Sequence, residues 1–141
     1  YAMPLYNGYF YPVVQRPFVV SATTTITSGS IKQFFSGESI NSGNVVYVKE
    51  EQVFKADANT ISSSFPIGLS LESKSVGELI DVLIGHGMVS DKYSGLLSGK
   101  RYFLGEEGQI TSVPDYNNIV QVGIANSSNE LIFLPLFLIQ K

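Results

Sequence analysis

The sequence predicts an all-β fold made of two related hairpin-rich β-modules, forming a sandwich or barrel, with an extended N-terminal arm. Three observations favour this fold. A β-branched run occupies positions 19–27, short apolar segments alternate with turn residues from Gly37 onward, and part of the first half returns in the second half. Strands that recur about every 8–12 residues are typical of sandwiches and barrels.

The first 18 residues are rich in tyrosine and proline and lack helical periodicity. Proline keeps such a segment extended, and exposed aromatic rings are unfavourable in water, so we expect an arm that lies on the body or on a neighbouring subunit. The expected interface residues are aromatic: Tyr6, Tyr9, Phe10, Tyr11 and Phe18. The run 19–27 then favours a strand.

The segments between residues 31 and 71 are predicted to be short strands separated by turns. Residues 31–35 predict a short strand or a single helical turn. Residues 44–48 and 52–56 predict a hairpin around Lys49-Glu50-Glu51, and residues 67–71 predict a further strand.

Two later segments leave alternatives open. Residues 78–84 fit a strand, which we prefer, or a short helix with Ser75 as N-cap and Glu78 at N3. The apolar run 131–139 has nine residues, too few for a membrane helix, which needs about 20. With Pro135 inside it, this run predicts a buried strand or two strands meeting at Pro135.

Internal repetition predicts a duplicated module. Residues 40–54 overlie 96–110 without a gap, with Ser42-Gly43 and Ser98-Gly99 separated by 56 positions. Further matches join 67–70 to 122–125 and 77–80 to 129–132, at offsets of 55 and 52. The predicted domains are therefore residues 1–35, arm and first strands, and residues 36–141, a β-domain duplicated as 36–91 and 92–141. The alternative is that unrelated hairpins reuse the same turn chemistry.

Composition argues against most enzyme classes. The chain has 9 basic and 12 acidic residues, a net charge of −3, a single His and no Cys. So few basic residues disfavour binding to a nucleic-acid backbone, and the missing Cys excludes thiol catalysis and cysteine–zinc sites. We therefore expect no enzymatic activity, no catalytic residue, no cofactor, no metal, no nucleic acid and no membrane insertion.

The residues that could still carry chemistry have simpler interpretations. His86 lies between two glycines and no G-x-S-x-G motif accompanies it, so we expect a solvent-facing or interface His. Glu50-Glu51 and Glu106-Glu107 could bind Ca²⁺ or act as acid and base. The interpretation we favour is that both pairs lie in charged hairpin turns. Asn126-Ser127-Ser128 fits a polar turn better than a glycosylation site.

Tyrosines are the remaining candidates for recognition. Tyr93 and Tyr116 fall in predicted loops and are candidate ligand contacts, because a tyrosine ring can stack on a sugar while its hydroxyl forms hydrogen bonds.

From Ser36 to Pro135 the chain resembles a module of tailed-bacteriophage virion proteins found in head fibres, capsid decoration proteins and tail-fibre segments. The motifs that carry the resemblance are turn glycines and apolar alternation: Ile67-Gly68-Leu69, Gly77-Glu78-Leu79-Ile80, Gly87-Met88-Val89, Ser94-Gly95-Leu96-Leu97-Ser98-Gly99-Lys100-Arg101-Tyr102-Phe103-Leu104, Gly108-Gln109-Ile110-Thr111 and Val122-Gly123-Ile124-Ala125. Phe103 departs from the pattern, which has a second Tyr there.

The resemblance implies a non-enzymatic, homotrimeric virion protein on the particle surface. Its partners would be further copies of itself and the major capsid protein or another virion protein. The expected function is that of a capsid decoration or head-fibre subunit. The alternative is a tail-fibre or lectin-like module that recognises a surface glycan.

Overall fold

A computed structural model describes residues 29–140 of the chain. The predicted arm, with Tyr6, Tyr9, Phe10, Tyr11 and Phe18, and the predicted strand 19–27 lie outside the described residues. Within them the all-β prediction is confirmed, with two sheets and a 3₁₀ turn at Ile61–Ser63.

The first sheet is a closed five-stranded barrel. Its strands are β1 (Ser30–Ser36), β2 (Val45–Lys49), β3 (Gln52–Lys55), β4 (Gly68–Ser70) and β5 (Leu79–Ile84). Neighbours run β3-β2-β4-β5-β1, and β1 returns to β3 through a short parallel pairing. The prediction for 31–35 is thus confirmed as a strand, and so is the predicted hairpin, β2 to β3.

The second sheet is open and also has five strands. These are β6 (Gly87–Ser90), β7 (Arg101–Leu104), β8 (Ile110–Thr111), β9 (Asn118–Ser127) and β10 (Glu130–Gln140). Their order is β8-β7-β9-β10-β6, and every pairing is antiparallel. The strand order of the barrel therefore recurs in the open sheet, strand for strand along the chain.

Matching turns have the same hydrogen bonds in the two sheets. Gly43 N–H donates to the carbonyl of Ser70, and Gly99 N–H donates to the carbonyl of Ala125, both at 2.8 Å. The two glycines have φ of +88° and +83°, a conformation that glycine adopts without steric cost. The descent of both modules from one ancestor stays a prediction, which this shared geometry supports.

The structure also corrects the sequence offsets. The β2–β3 turn has two residues, because Lys49 pairs with Gln52, whereas the loop between Gly105 and Gln109 has three. After these turns, equivalent residues of the two modules are therefore separated by one position more than the gap-free alignment of the sequence assumes. In the last block, Ser70 pairs with Val82, and the equivalent Ala125 pairs with Leu131. Val82 and Leu131 are therefore equivalent and lie 49 positions apart, not 52, because the loop that follows β4 is longer than the turn that follows β9.

Both sheets contribute to one large hydrophobic core. It joins barrel residues such as Leu69 and Leu83 to Val122 and Phe133 of the open sheet. A smaller core, made of Ile40, Val46, Val53, Ile80 and Val82, fills the barrel itself. Backbone hydrogen bonds fasten the sheets together: from Val45 to Gly108 at 2.9 Å, from Gly108 to Ala56 at 2.7 Å and from Ala58 to Gly105 at 2.9 Å.

The two open alternatives of the sequence are settled. Residues 79–84 form strand β5; the Glu78 carboxylate does accept a hydrogen bond from Ser75 N–H at 2.8 Å, but Gly77 at φ +87° prevents a helix from following. The C-terminal run is one strand, β10. Its ladder with β9 is shifted between Phe133 and Leu136, so Pro135 lies in a bulge, where a missing N–H is tolerated.

Candidate interaction surfaces

One end of the barrel exposes an apolar pair. Phe35 and Leu79 are direct cross-strand partners on β1 and β5, and 54% of Phe35 and 45% of Leu79 remain exposed. Val76 is 66% exposed in the adjoining loop, which is held by a hydrogen bond from Gly77 N–H to the Ser36 carbonyl. Three large apolar side chains thus stand in solvent at the place where the barrel closes.

Exposed acidic residues lie in the chain segments next to this apolar group. Phe35 pairs with Gln52, the residue that follows the Glu50–Glu51 turn, and Glu78 precedes Leu79. All three glutamates are exposed, as is Lys49. We call Phe35, Val76, Leu79, Glu50, Glu51 and Glu78 the barrel-end surface. Its apolar centre and neighbouring acidic residues fit a partner that presents an apolar projection beside basic groups.

The Glu50–Glu51 turn is conformationally strained. A two-residue hairpin turn of this kind needs positive φ at both positions, which Asn and Gly supply most easily. Here Glu50 has φ +54° and Glu51 has φ +66°. The charged hairpin turn predicted from the sequence is therefore confirmed as a turn, at a steric cost that neither glutamate relieves.

A second apolar group lies at the end of β10. Leu136 is 54% and Leu138 is 37% exposed. Phe65, 54% exposed, stacks on the ring of Phe137 with centroids 5.0 Å apart. We call Phe65, Leu136, Phe137 and Leu138 the strand-end surface.

A polar cleft of about 480 Å³ lies where the two sheets meet, and Asn41, Asn44, Lys55, Asp57, Glu106, Glu107 and Gln109 line it. Its acidic groups take part in contacts between the two sheets. Asn59 donates to Glu106 at 3.0 Å, Glu107 N–H donates to Asp57 at 3.2 Å, and the Lys55 ammonium lies 3.7 Å from the Glu107 carboxylate. Across residues 29–140, no group of three or more His, Cys, Asp or Glu side chains has an arrangement that could hold a metal ion.

The loop tyrosines Tyr93 and Tyr116 are partly covered by the body of the protein. Both are half-buried and pack against the large core. The Tyr93 hydroxyl donates to the Gly43 carbonyl at 2.7 Å, and burial raises the pKa of Tyr93 well above its usual value. These rings complete the core under their loops, and their role in ligand binding stays a prediction.

The remaining polar candidates lie in turns. His86 is exposed between Gly85 and Gly87 in the β5–β6 turn. The Glu130 carboxylate accepts hydrogen bonds from Asn126 at 2.7 Å, Ser127 at 3.0 Å and Ser90 at 3.2 Å. These hydrogen bonds, first that of Asn126, lower the pKa of Glu130 because they favour its charged form.

Sequence reasoning did not single out Phe35, Val76 or Leu79. The available signal was weak, because an isolated apolar residue has the same pattern whether a strand face is buried or exposed. The apolar run 131–139 predicted a buried strand, but the structure leaves Leu136 and Leu138 of this run exposed.

A scan against models of known protein families and a search of curated proteins both find no match for this chain. Among the described residues, no helix has the length and apolar character needed to cross a membrane.

Proposed function

We propose that the chain is a structural protein of a tailed-bacteriophage virion, a capsid decoration or head-fibre subunit that acts by assembling onto the particle surface. The observation that carries this proposal is the barrel-end surface, where Phe35, Val76 and Leu79 remain in solvent. Burying a large apolar side chain contributes about 1.5–3 kcal/mol, so covering this group would drive association.

The composition of the surface also supports assembly. Interface cores are depleted of charge and enriched in aromatic and aliphatic side chains, whereas their rims are polar. Phe35 and Leu79 lie side by side, and the exposed Glu50, Glu51 and Glu78 belong to the segments next to them. We assign this surface to contact with the major capsid protein or another virion protein. The homotrimer and the location rest on the resemblance described above.

The first test is co-sedimentation with capsids purified from the encoding phage, combined with light scattering for the oligomeric state. We expect the unaltered chain to bind capsids and to scatter as a trimer. The double variant Phe35→Ser with Leu79→Ser should lose capsid binding while keeping its circular dichroism spectrum. Val113→Ser is the matched control, since Val113 is 66% exposed elsewhere. A strictly monomeric chain that does not bind capsids would overturn the proposal.

The second test concerns the arm. Deleting residues 1–18 should abolish attachment to the capsid and leave the β-fold intact, because the arm is expected to dock on a neighbour. Attachment by the shortened chain would remove the arm from the mechanism.

The glycan-binding alternative has its own outcome. It predicts binding on a glycan array that is lost in Tyr93→Ala and Tyr116→Ala. Such a result, in chains that still fold, would replace the assembly proposal by a receptor-binding one.

A further inference from the structure

Among residues 29–140, no strand pairs with the outer edge of β10 over its second half. β6 pairs with β10 from Glu130 to Phe133, and Phe133 lies opposite Gly87. On its other edge β10 is paired with β9 as far as Gln140. Beyond Phe133, none of the described strands covers the outer edge. An uncovered edge presents free N–H and C=O groups and pairs readily with another strand.

This edge also lacks the charged side chains that would oppose such pairing. Natural edges are commonly guarded by charged side chains, but residues 134–140 contain no Asp, Glu, Lys or Arg. The ladder with β9 is shifted at Pro135 and again between Phe137 and Ile139, but the strand continues to Gln140. With Leu136, Leu138 and Phe65 exposed beside it, the edge combines unpaired backbone with apolar surface.

The described chain begins next to this edge. A Cβ placed on Gly29 would lie 3.1 Å from the carbonyl oxygen of His86 and 3.5 Å from Cα of Gly87. Because Gly87 is the partner of Phe133, the chain at Gly29 lies within roughly 10 Å of the point where the outer edge of β10 becomes free. The 28 residues before Gly29 are therefore attached beside the strand-end surface.

The segment closest to Gly29 has the right composition and length. Residues 19–27 are β-branched or small and carry no charge. Nine extended residues reach about 30 Å, and the seven residues 134–140 span about 23 Å. A chain running back from Gly29 along β10 would be antiparallel to it.

We propose that residues 19–27 dock in cis as a further strand on the outer edge of β10, antiparallel to Leu134–Gln140, with Ile26 near Leu136. This docking covers the strand-end surface and leaves the arm, residues 1–18, to depart from the far end of β10. It does not depend on a virion function.

Engineered disulfides test the proposal directly, since the chain has no Cys of its own. Leu136→Cys is combined in turn with Thr25→Cys, Ile26→Cys and Thr27→Cys in the full chain. We expect at least one pair to form an intrachain disulfide under mild oxidation, detected as a faster-moving monomer on a non-reducing gel. The control pair, Leu136→Cys with Val76→Cys, should stay reduced. Failure of all three pairs, or a disulfide-linked dimer in their place, overturns docking in cis.

Hydrogen exchange provides an independent readout. In the full chain, Ile26→Pro should accelerate exchange of the 134–140 peptide at least tenfold, because proline removes a ladder hydrogen bond. Val14→Pro, in the arm, is the matched control and should leave exchange unchanged. Unchanged exchange in Ile26→Pro, or equal acceleration in both variants, would contradict the proposal.

Discussion

In the barrel, β3 returns to β1 through the pairs Phe35–Gln52 and Ser36–Val53, whereas the equivalent strands β8 and β6 of the open sheet do not pair. β3 has four residues and β8 only two. Gly37 follows β1, and a Cβ at this position would collide with the ring of Phe54. Closure of the same strand order thus depends on local strand length and on one small residue.

Closure decides where each sheet finds its core. The barrel encloses its own small core, in which Val46, Val53 and Ile80 are fully buried. The open sheet has no enclosed interior, so Val122 and Phe133 are buried against barrel residues such as Leu69 and Leu83. The open sheet should therefore depend on the barrel for its stability, and four predictions test this difference.

The largest effect is expected for Phe133→Ala, since Phe133 is fully buried in the core that the two sheets share. Removing such a side chain costs about 3–5 kcal/mol. We expect the free energy of unfolding to fall by that amount in a single cooperative denaturant transition. Leu97→Ala, at a position that is 60% exposed, should change it by less than about 1 kcal/mol. Two separate transitions would show that the sheets unfold independently.

Two equivalent glycines come next. A Cβ at Gly68 would collide with the carbonyl oxygen of Leu83, and one at Gly123 with that of Ile132. Each Gly→Ala variant should lose about 3 kcal/mol, because the backbone of the neighbouring strand must shift. Gly95→Ala, at φ +75° with no atom within 4 Å, controls for backbone strain and should cost about 1 kcal/mol. A mild effect at Gly68 or Gly123 in denaturant titrations would break the equivalence of the two strands.

The two hairpin turns should respond to glycine substitution to different extents. Glu51→Gly should stabilise the barrel by about 1 kcal/mol, because a side chain at positive φ is strained and glycine is not. Glu107, at φ +49°, also carries the ion pair to Lys55, so Glu107→Gly should gain less. Thermal unfolding of both variants checks this. Glu106→Gly, which removes the Asn59 hydrogen bond without a positive φ to relieve, should not stabilise.

The smallest effect concerns pH. The pKa of Glu130 is below its ordinary value of 4.5, so the carboxylate stabilises the folded chain above that pH, and this stabilisation is lost as pH falls through the lowered pKa. An NMR titration of the Glu130 side-chain carboxyl carbon should show the lowered value, and Asn126→Ala should move it back upward. An unshifted pKa in the unaltered chain would contradict the hydrogen-bond geometry.

The strands and most turns could be predicted from local sequence. β-Branched alternation located β2, β3 and β5, and the Ser-Gly repeats marked two turns with the same geometry. The sequence offsets between the two modules were wrong where loop lengths differ, because a gap-free alignment cannot account for an inserted residue. The hydrogen bond of the Tyr93 hydroxyl could not be predicted, since its partner, the Gly43 carbonyl, is 50 positions away in the chain.

The low charge, the abundant turn glycines and the succession of strands along the chain are properties of the sequence by itself. Turn conformation and β-propensity act over a few neighbouring residues. Closure of one sheet, the shared core and the exposure of Phe35, Leu79 and Leu136 were decided by the tertiary structure. These features depend on which strand edges and faces meet between residues far apart in the chain. The sequence pattern of an apolar residue is the same whether another strand or solvent contacts it.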